Sequence, residues 1–122
     1  GTPHFDLRKF NYYEILYSFA NPIPEQVNKI VEQIHNTPTW LKQSMAKNAP
    51  KDYRAQLPQI QVPTLVMIGE KDTFCLVEEA TDMAQRISKA QLEIFPDSGH
   101  NIPIEQPKEF NTTLLSFLKD DS

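Results

Sequence analysis

The chain has 122 residues, 39% hydrophobic and 23% charged, the length and composition of one small globular domain. A formal net charge of -4, with no basic run and no aromatic-basic interleaving, argues against a nucleic-acid surface and fits small-molecule chemistry. The single cysteine, Cys75, excludes an intrachain disulfide framework and a cysteine-pair metal site, and with His4, His35 and His100 widely scattered no metal and no cofactor is expected.

Lys9 to Ala20 has helical spacing, with Phe10, Tyr13, Leu16, Tyr17 and Ala20 as an apolar stripe that Asn21-Pro22-Ile23-Pro24 breaks. Pro24 suits the first position of a second helix and Glu25 its first turn; Val27, Ile30, Val31 and Ile34 form its apolar face, and it should end near Asn36. Thr37-Pro38 repeats the start signal, a capping residue and then proline, for a third helix through Leu41 and Met45 to about Asn48, stopped by Ala49-Pro50. Phe5, Phe10, Tyr12, Tyr13, Tyr17, Phe19, Trp40 and Tyr53 gather in this half, and the plainest use of such aromatics is to pack helices together. Lys51 to Val62 is a polar connector with Leu57, Pro58 and Ile60 as apolar anchors.

Leu65 to Ile68 is apolar at every position, the pattern of a strand covered on both faces inside a parallel sheet. Leu76, Val77, Ala80, Met83, Ala84 and Ile87 then recur at helical spacing, as in an amphipathic crossover helix. A second strand, about Gln91 to Phe95, ends at Pro96, which cannot donate to a ladder. Beyond His100, Ile102-Pro103-Ile104 reads as continued loop, and Pro107 opens a last helix in which Phe110, Leu114, Leu115, Phe117 and Leu118 point one way, onto a sheet face.

Strand, helix and strand make one parallel unit, so the carboxyl ends of both strands share an edge, where ligands of open α/β sheets bind. Asp72 and His100 follow those two ends and should meet there. A carboxylate beside an imidazole holds the ring in one tautomer and stabilises it when the other nitrogen takes a proton, a service rendered to a nucleophile. Taken singly, Asp72 reads as the cap of the following turn and His100 as a partly buried loop histidine. Gly69 and Gly99 suit tight loops through backbone angles that other residues avoid. Glu105 stands where a carboxylate before a helix has a structural role, and Cys75 reads as buried or structural.

Pro63-Thr64-Leu65-Val66-Met67-Ile68-Gly69-Glu70-Lys71-Asp72 and Ser98-Gly99-His100, with Glu105-Gln106-Pro107 following, resemble the C-terminal part of an α/β-hydrolase. The resemblance covers roughly the second half of the chain; the first half matches in general character. It implies an α/β fold class, a partial α/β-hydrolase fold with a helical cap over residues 1–57 and the last β-α-β-α unit of the sheet over residues 58–122. It also implies a triad in the order nucleophile, acid, histidine, with Asp72 as catalytic acid and His100 as catalytic base. The start at Gly1-Thr2-Pro3-His4-Phe5 resembles the point where such a chain enters its cap, unless Gly1 is a cloning scar.

The family's nucleophile elbow, G-x-S-x-G, has no counterpart: none of Ser18, Ser44, Ser88, Ser98, Ser116 or Ser122 stands in that context, and the oxyanion hole that goes with an elbow is missing too. The implied activity of the complete protein is ester or acyl-bond hydrolysis of a small, apolar acyl or aromatic substrate, the chain being inactive alone until an N-terminal half or a second chain completes the sheet. The alternative is a non-catalytic interaction module that pairs through an open sheet edge. No apolar run approaches the ~20 residues of a membrane span and the start lacks a signal-peptide pattern, so a cytoplasmic location without membrane contact is the expectation.

Overall fold

In the computed structural model, residues 7–47 and 51–120 are described. They form α1 (Leu7–Leu16), α2 (Pro24–Asn36), α3 (Thr39–Lys47), a 3₁₀ helix (Arg54–Gln59), β1 (Thr64–Gly69), α4 (Val77–Arg86), β2 (Ala90–Phe95), a short α5 (Ile102–Glu105) and α6 (Pro107–Lys119). Two compact units result. One takes in the chain as far as Tyr17 and again from Pro22 to Lys51; the other takes Ser18–Asn21 and everything from Asp52 on.

The helical unit rests on α1 and α2. In α2 the side chains of Val27 and Val31 are fully buried, one turn apart on one face. Pro24 occupies the first turn and Glu25 faces the helix's positive end. Thr37 does not cap α3: its hydroxyl donates to the carbonyl of Gln33, 2.8 Å away, and so closes α2 instead. Helix α1 stops at Leu16 rather than Ala20, and Ser18 and Phe19 are buried within the other unit. Tyr13, Tyr17 and Trp40 are largely exposed, so these three do not serve as core filling. Phe5, His4, the Gly1–Phe5 start and the Ala49-Pro50 stop lie outside the described residues, as does the side chain of Phe10.

The sheet unit holds β1 and β2 in parallel, paired from Thr64–Ala90 to Gly69–Phe95. Val66 and Ile68 bury themselves against Ala80 of α4, with Val77, Ala84, Ala90 and Leu92 packed around them. Burial of Val66 and of Ile68 contributes about 1.5–3 kcal/mol each relative to exposure. Gln91 and Glu93 of β2 line the other face, which looks across a cavity of about 310 Å³ to Thr113, Ser116 and Phe117 of α6.

Several expected contacts are looser than the spacing indicated. Leu76 and Met83 of the crossover helix, and Leu115 and Leu118 of α6, are exposed rather than packed. Leu76 has no side-chain acceptor, so α4 starts with only the returning half of a capping box, the Leu76 N–H donating to Glu79 Oε1 at 3.0 Å. Where a polar connector was expected, Arg54–Gln59 forms a 3₁₀ helix, and Ile102–Glu105 forms a helical turn instead of loop.

Candidate active site

Both strands end on one edge, and the loops that follow are stitched together by their backbones. The Glu70 N–H donates to the Phe95 carbonyl at 2.9 Å and the Lys71 N–H to the Ser98 carbonyl at 3.0 Å. Glycine is required here for space. A Cβ on Gly69 would stand 2.0 Å from the Gly99 carbonyl oxygen, and one on Gly99 would stand 2.5 Å from the Ser18 carbonyl oxygen. Neither glycine has a positive φ, so the expected reason, unusual backbone angles, is replaced by close approach.

Asp72 and His100 meet across these loops, with Oδ2 and Nδ1 2.9 Å apart. The other carboxylate oxygen, Oδ1, accepts the N–H groups of Phe74 at 2.8 Å and Cys75 at 3.0 Å. Asp72 thus caps the turn with one oxygen and meets His100 with the other. The Asp72 side chain is 4% exposed and that of His100 44%. Burial alone would raise the Asp72 pKa; the Cys75 N–H, the His100 hydrogen bond and the Phe74 N–H outweigh it and hold the carboxyl below its ordinary range. With Nδ1 committed to the carboxylate, Nε2 is the nitrogen left for proton transfer. The Phe74 ring meets the imidazole edge to face at 5.1 Å and limits its rotation.

The histidine loop is clamped from behind. Its backbone N–H donates to the Ser18 carbonyl at 2.7 Å, and Asn101 Nδ2 donates to Ser18 Oγ at 2.7 Å. Glu105 does not reach the imidazole as a rival acid would. Its Oε1 accepts the N–H groups of Ala20 at 2.7 Å and Gly99 at 3.1 Å, and its Oε2 that of Asn101 at 2.9 Å. The structural role expected of Glu105 has a definite form, a carboxylate receiving three backbone donors from two distant segments. The sequence offered Ser18 only as a serine outside an elbow and gave no sign that Asn101, next to His100, would reach back to it across 83 positions.

Ser98 is fully buried and its hydroxyl donates to Gln106 Oε1, so it is turned away from a nucleophile's task. Cys75 is exposed, contrary to the buried position expected. Its thiol pKa is pushed up by partial burial and by the negative charges of Asp72 and Glu79, which disfavours the thiolate a nucleophile needs. Among the described residues no helix is long and apolar enough to cross a membrane.

A parallel sheet edge that presents a hydrogen-bonded acid and histidine after adjacent strands defines the class of α/β folds with a carboxylate–imidazole site. A profile of the alpha/beta hydrolase fold matches residues 7–107, and the chain belongs to that family. The chain is similar to a Synechocystis sp. protein named as a non-heme chloroperoxidase, with 36% identity over 67% of this chain and 27% of the relative. It is also similar to the 2-hydroxy-6-oxononadienedioate/2-hydroxy-6-oxononatrienedioate hydrolase of Cupriavidus pinatubonensis, with 35% identity over 62% of this chain and 27% of the relative. Among solved structures, an esterase from Exiguobacterium antarcticum superposes with a TM-score of 0.83 and 30% identity, covering 94% of this chain and 44% of that one. The chain thus spans about a quarter of the length of the curated relatives and less than half of that esterase. Its fold is a partial alpha/beta hydrolase fold.

Proposed function

We propose that the complete protein hydrolyses ester or related acyl bonds of small molecules, with Asp72 and His100 as acid and base of a triad whose serine lies outside this chain. The observation that carries the reading is the 2.9 Å contact between Asp72 Oδ2 and His100 Nδ1 at the carboxyl ends of two adjacent parallel strands. In this reaction the serine hydroxyl attacks the carbonyl carbon while Nε2 of His100 takes its proton. The imidazolium, stabilised by ionised Asp72, returns that proton to the leaving alcohol. His100 then activates water, which releases the acid and frees the serine.

The names of relatives, an esterase and a hydrolase of a dienedioate, support an acyl or carbonyl-centred substrate. In this reading residues 1–57 belong to a helical cap and residues 58–122 to the hydrolase core, and the exposed aromatic side chains Tyr13, Tyr17 and Trp40 of the cap favour apolar or aromatic groups. In the same reading the edge of β1 away from β2, unpaired among the described residues, receives the missing strands of the sheet, which bring the nucleophile and the oxyanion hole.

The test is to treat the full-length protein with a fluorophosphonate probe and to assay it on activated esters of short and long acyl chains. A covalent adduct on a serine outside the present 122 residues, together with ester turnover, is expected. Turnover with no serine adduct would sink the triad reading.

A second reading rests on the same open edge. Among the described residues β1 pairs only with β2, and an unpaired strand edge can take up a strand from another chain as a non-catalytic interaction module. Sedimentation of the 122-residue chain would then show concentration-dependent association; a monomer at every concentration counts against it.

A further inference from the structure

The edge that brings Asp72 to His100 brings a third chemically distinct ligand with them. A carboxylate oxygen of Asp72, the sulfur of Cys75 and a ring nitrogen of His100 all lie within 4.8 Å of one another. These residues line one cavity of about 280 Å³, where the carboxylate of Glu79 adds a second negative charge and Met83 and Ile102 form part of the apolar wall.

The ligand set, one oxygen, one sulfur and one nitrogen gathered at one point, suits a small tetrahedral ion. Zinc holds oxygen and nitrogen at about 2.0–2.2 Å and sulfur at about 2.3 Å, which sets its ligand atoms roughly 3.3–3.8 Å apart. Asp72 is the fixed point, its Oδ1 pinned by the Phe74 and Cys75 N–H groups and its Oδ2 turned outward to His100. Such outer hydrogen bonds are what orient a metal-binding carboxylate. Cys75 is exposed, so its side chain closes the remaining distance by rotation without moving the backbone, while His100 stays beside Asp72 and the Phe74 ring. Hard cations such as magnesium and calcium select all-oxygen sets and do not match a thiol and an imidazole.

We propose that Asp72, Cys75 and His100 form an inhibitory site for a thiophilic divalent cation, of which zinc fits the ligand set best. As the sulfur–metal bond forms, the thiol proton passes to water, and the fourth position is left to a water molecule. The bound cation engages the imidazole and the carboxylate that proton transfer requires, so occupancy and turnover exclude each other. The inhibition rests on the hydrolase reading; the binding does not.

The test adds Co²⁺ to the metal-free, full-length protein and follows thiolate-to-cobalt charge-transfer absorption. One equivalent should bring up the band, Zn²⁺ should abolish it, and Cys75→Ser should lack it. Competition with a chromophoric chelator should show zinc affinity lowered about 10-fold or more in Cys75→Ser and in His100→Ala. Thermal melts check that each variant is folded, and Cys75→Ala serves should Cys75→Ser melt low. No thiolate band in the wild-type protein, or equal zinc affinity in the folded Cys75 variants, overturns the site. Where esters are turned over, zinc should inhibit the wild-type protein and spare Cys75→Ser. Equal inhibition of both would overturn the inhibitory role, whereas a protein with no ester turnover still answers the binding question through the cobalt spectrum.

Discussion

Asp72 divides its carboxylate between two partners: Oδ2 faces His100 Nδ1 at 2.9 Å, while Oδ1 holds the N–H groups of Phe74 and Cys75. The carboxylate is therefore oriented by the turn it caps. Replacing one oxygen therefore affects one partner more than the other.

On the proposed triad, His100→Ala in the full-length protein should cut kcat on an activated ester by about 10³-fold or more, since it removes the proposed general base. The side chain is 44% exposed, so the cost to stability should stay near or below about 1 kcal/mol. Asp72→Asn should keep the turn but present the wrong partner to the imidazole, lowering kcat by about 10⁴-fold. Stopped-flow turnover and thermal melts measure both, and unimpaired turnover of His100→Ala removes it from the mechanism.

Acid should weaken the sheet unit through Asp72. Its carboxyl lies lower in the folded chain than its ordinary value of 3.8, so the stabilisation is complete above that value. It fades as the pH falls through the lower folded value. Urea midpoints from about pH 7 down to about pH 2.5 should show the gap between wild type and Asp72→Asn narrowing only below about pH 4. A gap that stays constant to the acid end would mean that ionisation of Asp72 does not contribute.

Gly69→Ala and Gly99→Ala should each destabilise by about 1–3 kcal/mol or more, because the added methyl meets backbone rather than a movable side chain. Chemical denaturation gives the number. Were either variant as stable as the parent, the close approach of the two loops would be wrong.

The elements were legible where pattern alone decides them. Val27 and Val31 lie one helical turn apart, and the continuous apolar run of β1 has its buried residues under α4, so both appear where expected. The meeting of Asp72 and His100 was legible because parallel neighbours must end on the same edge. What escaped is set by contacts between distant segments. Ser18 and Phe19 fall inside the stretch from Lys9 to Ala20 that reads as helical, yet α1 ends at Leu16 and both residues are buried in the sheet unit. The hydroxyl of Thr37 has two helices within reach, and local sequence does not choose between them. Cys75 read as buried or structural by its place after a strand, but the turn capped by Asp72 leaves it exposed.

Glu105→Ala should cost about 2–4 kcal/mol, since the N–H groups of Ala20, Gly99 and Asn101 lose a charged acceptor together. Glu105→Gln keeps one carbonyl oxygen and should recover part of the loss in both melting temperature and kcat. Equal stability of Glu105→Ala and wild type would show that water replaces the carboxylate without cost.

The same clamp bears on the order in which the chain folds. β1 needs to close only the span from Thr64 to Ala90 to find β2, whereas Glu105 must capture Ala20 from 85 positions away and Asn101 must reach Ser18 across 83. The longer closure costs about 1 kcal/mol more in chain entropy. The expected sequence of events puts the strand pair, and with it the two loops that carry Asp72 and His100, ahead of the docking of residues 18–21. Pulse-labelled hydrogen exchange should find the Ile68 amide protected before that of Ala20; simultaneous protection would mean that the clamp and the sheet form in one step.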